Sequence, residues 1–176
     1  MAPDARVVYA DNDPIVLAHA RALLTSNPAG RTAYLDADLC QVRAILDSPE
    51  LHDTLDLSRP VAVSVNAIPH FFPDDDDPFT IIRTILDAVP IGSYLSLTHT
   101  TPDFDPAAAE QGAQAYRDRG IPTQLHSREE IARFFDGLEL VEPGIQPVHR
   151  WRPGADASAD VTDAQISIYG AVGVSR

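Results

Sequence analysis

The chain alternates short apolar runs with stretches whose apolar residues recur at helical spacing. The first run, at 7–10, is rich in β-branched residues and predicts a buried parallel strand. Asp11 follows this strand directly. Asp13-Pro14 is typical of a capped helix start, since an aspartate can accept hydrogen bonds from the open N–H groups of a first turn. The stretch 6–24 therefore predicts a strand and then a helix, with Asp11 at the carboxyl end of the strand.

The same alternation continues along the chain and predicts a single α/β domain over residues 1–176. Because strands alternate with helices, the sheet should be mostly parallel, with one antiparallel strand near the C-terminus. Polar connections are expected at 51–59 and 153–160. Further strands are expected at 31–35, 61–67, 93–98, 138–141 and 165–174, and further helices are expected to begin at 41, 78, 106 and 128.

Acidic residues stand at the ends of two consecutive predicted strands, at Asp11 and Asp36. Neighbouring strand ends lie about 5 Å apart across a sheet, so both carboxylates can reach one ligand. One carboxylate can accept from both hydroxyls of a ribose, and the other can accept from the exocyclic amine of a purine. This pattern indicates a cofactor that carries adenosine. The alternative is that such acids only cap helices, as we expect of Asp13.

The charge balance narrows the range of partners. The chain has 176 residues and a formal net charge of −13, which argues against nucleic acid and anionic membrane surfaces because both favour a basic face. All 13 cationic residues are arginine, and the lack of lysine disfavours Walker-type loops, Schiff-base chemistry and receiver-domain phosphorylation. The single cysteine, Cys40, excludes an internal disulfide, indicates a reducing cytoplasm and is expected to be a buried small apolar residue.

Four consecutive acids, Asp74–Asp77, could form a solvated turn or a metal site. Four adjacent carboxylates cannot all point inward, and the spacing of a calcium loop is missing. The histidines, His99 and His126 among them, are scattered without the spacing of zinc ligands, so we expect no metal. The turn is the favoured interpretation, with Asp77 as the cap of the next helix.

Several blocks of the sequence together resemble one family. They are VVYADNDPIVLAHARALL, GRTAYLDADL, a strand ending in a histidine and PDDDDP, GSYLSLTH, FFDGLELVEPGI and VHRWRP. They are similar to the actinobacterial S-adenosylmethionine-dependent methyltransferase family long carried as a domain of unknown function. The resemblance implies a Rossmann-like class I methyltransferase sheet with strand order 3-2-1-4-5-7-6, S-adenosyl-L-methionine as cofactor and a small-molecule methyl acceptor.

The resemblance also implies roles for single residues. Asp11 corresponds to the acid that binds the cofactor ribose, and Asp36 corresponds to the residue beside the adenine amine. His70 becomes the candidate general base, for which the alternative is a polar loop residue bonded to backbone. The other positions implied for the cofactor or the mouth of its site are Asn12, Ala37 through its backbone N–H, Asn66, Ala67, Ile68 and Phe71.

The chain departs from the family at its start. The family begins with a central strand and a glycine-rich loop, whereas this sequence starts at what would be the second strand. We therefore expect a position in the sheet with no occupant, between the strands at 6–11 and 61–67. About ten ladder groups would lose partners there, at ~1–3 kcal/mol each if buried. The chain is expected to be a truncated methyltransferase domain, or one completed by another chain or copy, with weak cofactor binding.

Three other functions remain as alternatives. The first is a non-catalytic remnant or interaction module that keeps the methyltransferase fold. The second is a receiver domain, prompted by the YADNDP segment, although its required lysine is missing. The third is a nicotinamide-dependent oxidoreductase, for which Asp11 would serve equally well, but G-x-G-x-x-G and a Tyr-x-x-x-Lys pair are absent.

Overall fold

The protein is an α/β structure with two separate β-sheets, in a computed structural model that describes residues 3–23, 28–154 and 160–176. The strands are β1 (Arg6–Asp11), β2 (Arg31–Asp36), β3 (Ala62–Asn66), β4 (Tyr94–Thr100), β5 (Leu138–Leu140), β6 (Gln146–Pro147) and β7 (Ile168–Ser175). The helices are α1 (Pro14–Leu23), α2 (Val42–Leu46), α3 (Pro49–Thr54), α4 (Pro78–Asp87), α5 (Pro106–Arg117), α6 (Arg128–Ala132) and α7 (Asp163–Ile166).

The first sheet consists of β1 and β2, which run parallel in a register that starts at Arg6 opposite Arg31. Helices α1 and α3 pack against it. Gly30 precedes β2 at a close approach of two chain segments, since a Cβ there would lie 2.5 Å from the carbonyl oxygen of Ala5. The predicted strand–helix–strand pattern of this region is confirmed.

The second sheet has the order β3-β4-β7-β5, and β6 also pairs with β7. Strands β3 and β4 are parallel, whereas β7 is antiparallel to both β4 and β5. This confirms the predicted antiparallel strand near the C-terminus. Leu95 and Leu97 of β4 are completely buried and lie at the centre of the main core.

No ladder joins β1 to β3 in the part of the chain that the structure describes. Instead, the two strands contribute to the lining of one cavity of about 520 Å³, which we call the interstrand cavity. The observed order is β2-β1, then a gap, then β3-β4-β7-β5. The family order 3-2-1-4-5-7-6 gives the same arrangement when its central strand, number 1, is left out.

The helix starts agree with the predicted caps. Asp13 accepts from the N–H of Ile15 at 2.8 Å, and Asp77 accepts from the N–H of Thr80 at 3.2 Å. Ser127 opens α6 with a complete capping box. None of the helices in the described ranges has the length and apolar character needed to cross a membrane.

Three local predictions are wrong. Helix α3 lies where a polar connection was expected, because Ser48 caps it and Pro49 suits its first turn. Helix α7 occupies the start of the expected last strand, which begins only at Ile168. Cys40 is exposed, not buried. Part of the expected loop at 153–160 lies outside the described residues.

Candidate functional site

Asp11 and Asp36 are the last residues of two hydrogen-bonded parallel strands and are direct partners in the register. Adjacent strands are separated by about 4.8 Å, so the two residues lie at one edge of one sheet, as the sequence predicted. Asp11 Oδ1 accepts from the N–H of Asp13 at 2.8 Å, which fixes the orientation of the Asp11 carboxylate. The arrangement can present two carboxylates to one ligand.

Asp11, Asn12 and Ala37 are among the residues that line the interstrand cavity. The Ala37 N–H, expected to face a cofactor, instead donates to the Asp11 carbonyl oxygen at 3.0 Å. This bond extends the β1–β2 ladder by one step, because parallel pairing continues past the last strand residue. Ala37 therefore borders the cavity without offering this donor.

Ile68, Phe71 and Phe72, which follow β3, line the same cavity. Its walls are largely apolar, with contributions that include Leu46, Leu51, Leu55 and Val65. An apolar cavity with a few polar groups is the usual form of a small-molecule site.

Asn66 and Ala67 follow β3 but do not line the interstrand cavity. The Asn66 amide donates to Ser64 Oγ at 2.7 Å, and its oxygen accepts from Ser96 Oγ at 3.3 Å. Ala67 has a φ of 56°, and its N–H donates to Thr98 Oγ1 at 2.7 Å. A non-glycine residue held in this conformation stores strain, which is common next to binding sites.

His70 is 6% exposed and is not among the residues that line the cavity. Its ring lies 4.2 Å from the Phe71 ring and 5.6 Å from the His99 ring, measured between centroids. Burial lowers the pKa of His70 to about 4, so the ring is neutral near pH 7 but is a weak base. The geometry therefore does not favour the general-base role that the sequence suggested for His70.

Two buried histidines and an exposed aspartate beside His70 form a contact that was missed by the sequence analysis. His126 Nδ1 lies 2.9 Å from His99 Nε2, and His126 Nε2 lies 3.0 Å from Asp74 Oδ1. These residues come from β4, from the segment after α5 and from the turn before α4, so no sequence spacing could reveal the contact. Within the described ranges, no group of three or more histidine, cysteine, aspartate or glutamate side chains is arranged to hold a metal ion.

Comparisons with known proteins identify the family of the chain. The family model described as S-adenosyl methyltransferase matches residues 1–176. A DUF574 family protein from Streptomyces avermitilis is 49% identical with a TM-score of 0.97, and the match covers 99% of this chain and 67% of that chain. A search of curated proteins finds no match to this chain.

Two further solved structures are similar. A protein assigned as a methyltransferase from Thermobifida fusca is 32% identical with a TM-score of 0.85, over 99% of this chain and 64% of that chain. The N-methyltransferase NodS from Bradyrhizobium japonicum, in complex with S-adenosyl-L-homocysteine, is 13% identical with a TM-score of 0.53, over 97% of this chain and 66% of that chain. The last likeness concerns the fold alone. The chain thus spans about two thirds of the length of these proteins.

Proposed function

Because the chain belongs to the S-adenosyl methyltransferase family, whose cofactor is S-adenosylmethionine, we propose that it transfers a methyl group to a small-molecule acceptor. The observation that carries this proposal is the in-register pair of Asp11 and Asp36, of which Asp11 lines the interstrand cavity and Asp36 is exposed one strand away. We place the reaction in a reducing cytoplasm, which the single cysteine of the sequence supports.

The nucleoside half of the cofactor fits this edge of the first sheet. Asp11 would accept from the two ribose hydroxyls, since its carboxylate is already oriented by the Asp13 N–H. Asp36, one strand away, would accept from the adenine amine, and the neighbouring Asn12 could add an amide contact. The apolar wall that includes Leu39 and Leu46 would then cover the adenine ring.

The cofactor supplies a methyl group that its sulfonium already activates, so the protein needs chiefly to position the acceptor. Ile68 and Phe71 line the cavity and are suited to an apolar part of the acceptor. We assign His70 no proton transfer, because its buried ring is a weak base with a pKa of about 4.

We also propose that the methionine half of the cofactor requires a further strand between β1 and β3. Each of these strands has a ladder on one edge only within the described chain, and the interstrand cavity lies between them. A central parallel strand normally bonds on both edges. A complementing chain, or a second copy, could supply such a strand. Without it the protein should bind its cofactor weakly.

Titration with S-adenosylhomocysteine tests both parts of the proposal. In two-dimensional NMR spectra, the backbone amides of Asp11, Asn12 and Asp36 should shift, with saturation only in the millimolar range. Asp11→Asn keeps an oxygen for the Asp13 N–H but removes the charge, so affinity should fall about fivefold or more. Asp47→Asn, an exposed change after α2, is the matched control and should leave the affinity unchanged.

The possible results separate the alternatives. Micromolar affinity by calorimetry would contradict the need for a further strand. Equal affinity of D11N and D47N would contradict the assignment of Asp11 to the ribose. A folded protein with no amide shifts at all would favour the non-catalytic remnant over the methyltransferase.

A further inference from the structure

Apolar side chains stay exposed to solvent just after β3 and just after α5. Ile68 follows β3 and is 41% exposed, and Ile121 follows α5 and is 40% exposed. Both line the interstrand cavity together with Phe71 and Phe72, which are half-buried. We call these four residues the apolar quartet. Because exposed apolar side chains that share one cavity are typical of a binding surface, the quartet is a candidate contact for a ligand.

The quartet lies outside the backbone ladders that border the gap in the sheet. Strand β3 pairs with β4 up to Asn66, and β1 pairs with β2 up to Asp11. A further strand in the gap would bond to the free edges of β1 and β3, so its ladders would end before Ile68. The quartet therefore remains available to a small molecule at the carboxyl ends of the strands, where open α/β sheets bind ligands.

The ring of Phe71 is held from two sides. Its centroid lies 4.2 Å from that of the His70 ring and 5.4 Å from that of the Tyr116 ring, which meets it edge to face at 63°. The backbone is fixed as well, because the Gln124 N–H donates to the His70 carbonyl oxygen at 2.8 Å. A side chain that is already immobilised loses little entropy when a ligand packs on it. Phe71 therefore offers a preorganised aromatic surface to the cavity.

The end of α5 places the last member of the quartet. The Gly120 N–H donates to the Arg117 carbonyl oxygen at 2.9 Å, and the Ile121 N–H donates to the Tyr116 carbonyl oxygen at 3.1 Å. With a φ of 77° at Gly120, these bonds form a Schellman motif. The motif fixes Ile121 relative to Tyr116, so one helix end supplies both an apolar wall of the cavity and the ring that supports Phe71.

The charges near the quartet exclude one class of ligand. Among the described residues that line the cavity, the only charged side chains are Asp11 and Asp38. The exposed acids of the 74–77 turn begin two residues after Phe72. A carboxylate or phosphate on a ligand would find no cationic partner among these groups, and burying such a charge unpaired is costly.

We propose that the methyl acceptor is a small molecule with an aromatic ring and no negative charge, and that this ring lies against Phe71 within the apolar quartet. An aromatic pair contributes more than its buried area alone, so Phe71 favours an aromatic ring over a saturated one. Tyr116 contacts Phe71 but does not line the cavity, so it is a positioning residue. The identity of the ligand as the acceptor rests on the proposed function, whereas the affinity of the quartet for an aromatic ring does not.

Titrations without cofactor test the ligand class with three probes of matched shape. 2-Naphthol is the neutral aromatic probe, 2-naphthoate is its anionic analogue and decahydro-2-naphthol is its saturated analogue. In two-dimensional NMR spectra, 2-naphthol should shift the amides of Phe71, Phe72 and Ile121. 2-Naphthoate should bind about tenfold more weakly, even in about 0.5 M salt, which screens the net charge of the protein. Equal or tighter binding of 2-naphthoate would contradict the exclusion of anions.

Phe71→Leu separates an aromatic preference from a general apolar one. The variant keeps an apolar side chain but removes the ring, so it should weaken 2-naphthol about fivefold and leave the affinity for decahydro-2-naphthol unchanged. Tyr94→Leu removes an exposed ring that does not line the cavity, and it should change neither affinity. An equal effect of F71L on the two probes, or no effect on either, would overturn the proposal.

A pair of variants at Tyr116 tests the support of the Phe71 ring. Tyr116 is 46% exposed, so its replacement should leave the fold intact. Tyr116→Ala should weaken 2-naphthol about threefold, whereas Tyr116→Phe keeps the ring and should retain the native affinity. Equal affinities of Y116A and Y116F would contradict the positioning role.

Titration with S-adenosylhomocysteine distinguishes failure of this proposal from failure of the proposed function. Shifts at Asp11 and Asp36 with S-adenosylhomocysteine, but none in the quartet with 2-naphthol, would overturn the acceptor class alone. Binding of 2-naphthol that depends on Phe71, without any response to S-adenosylhomocysteine, would support the aromatic site and contradict the proposed methyl transfer.

Discussion

At the scale of single residues, the burial of His70 links its chemistry to the acid sensitivity of the fold. The folded protein lowers the pKa of this ring from 6.5 to about 4 because burial disfavours the charged form. Between these two pH values the unfolded chain binds a proton that the folded chain does not bind. The free energy of unfolding is therefore unaffected by His70 above about pH 6.5, and it falls progressively as the pH drops from 6.5 towards 4.

Replacing His70 by Gln should remove this part of the pH dependence. Between pH 7 and pH 5 the histidine costs the native protein about 2 kcal/mol of unfolding free energy, as the two pKa values require. Between pH 7 and pH 5, urea unfolding of H70Q should therefore show a decrease in unfolding free energy that is about 2 kcal/mol smaller than that of the native protein. The control His19→Gln, on the exposed side of α1, should lose the same unfolding free energy between the two pH values as the native protein. If H70Q lost as much unfolding free energy between pH 7 and pH 5 as the native protein, His70 would not titrate as stated.

Residues that act through local chain geometry could be predicted, and residues that act through tertiary contacts could not. Asp11 and Asp36 follow apolar runs directly, so the rule for strand ends brought them together correctly. No such rule predicts the contact between His99 and His126, because it depends on how β4 packs against the segment after α5. The burial of His70 has the same cause, and this burial is what changes its chemistry.

At the scale of elements, the apolar runs were sufficient to locate the long strands, while short helices depended on their caps. Helix α3 was missed although Ser48-Pro49 is the same kind of start that was recognised at Asp13-Pro14. Helix α7 has a complete capping box at Thr162 and Gln165, which a search for that pattern would have found. Strand β7 was placed too early because the apolar pattern begins inside α7.

Two glycines should respond in opposite ways to replacement by alanine. At Gly30 a Cβ would lie 2.5 Å from the Ala5 carbonyl oxygen, and backbone atoms cannot rotate away, so G30A should destabilise the protein by about 1–3 kcal/mol. At Gly112, inside α5, nothing lies within 4 Å, so G112A should stabilise it by ~1 kcal/mol. Chemical denaturation of both variants measures the difference. A stabilised G30A would mean that Ala5 and Gly30 are not in contact.

At the scale of the whole molecule, the gap between β1 and β3 divides the backbone hydrogen bonding into two sheets of unequal size. A two-stranded sheet is marginal in water unless other elements cover it, and here α1 and α3 provide the cover. The second sheet has β4 and β7 at its centre, and their side chains make up much of the main core. The family resemblance predicted the gap, because a missing central strand leaves the outer strands of each half still paired.

Hydrogen exchange should therefore distinguish the two sheets. Amides of β1 and β2 should open with a free energy well below that of global unfolding, and should be protected about a hundredfold less than those of β4 and β7. Saturating S-adenosylhomocysteine should raise protection in β1 and β2, since a ligand stabilises the state that it binds, and should leave β4 as the internal control. Equal protection of the two sheets in the free protein would mean that packing across the interstrand cavity couples them as strongly as a shared ladder would.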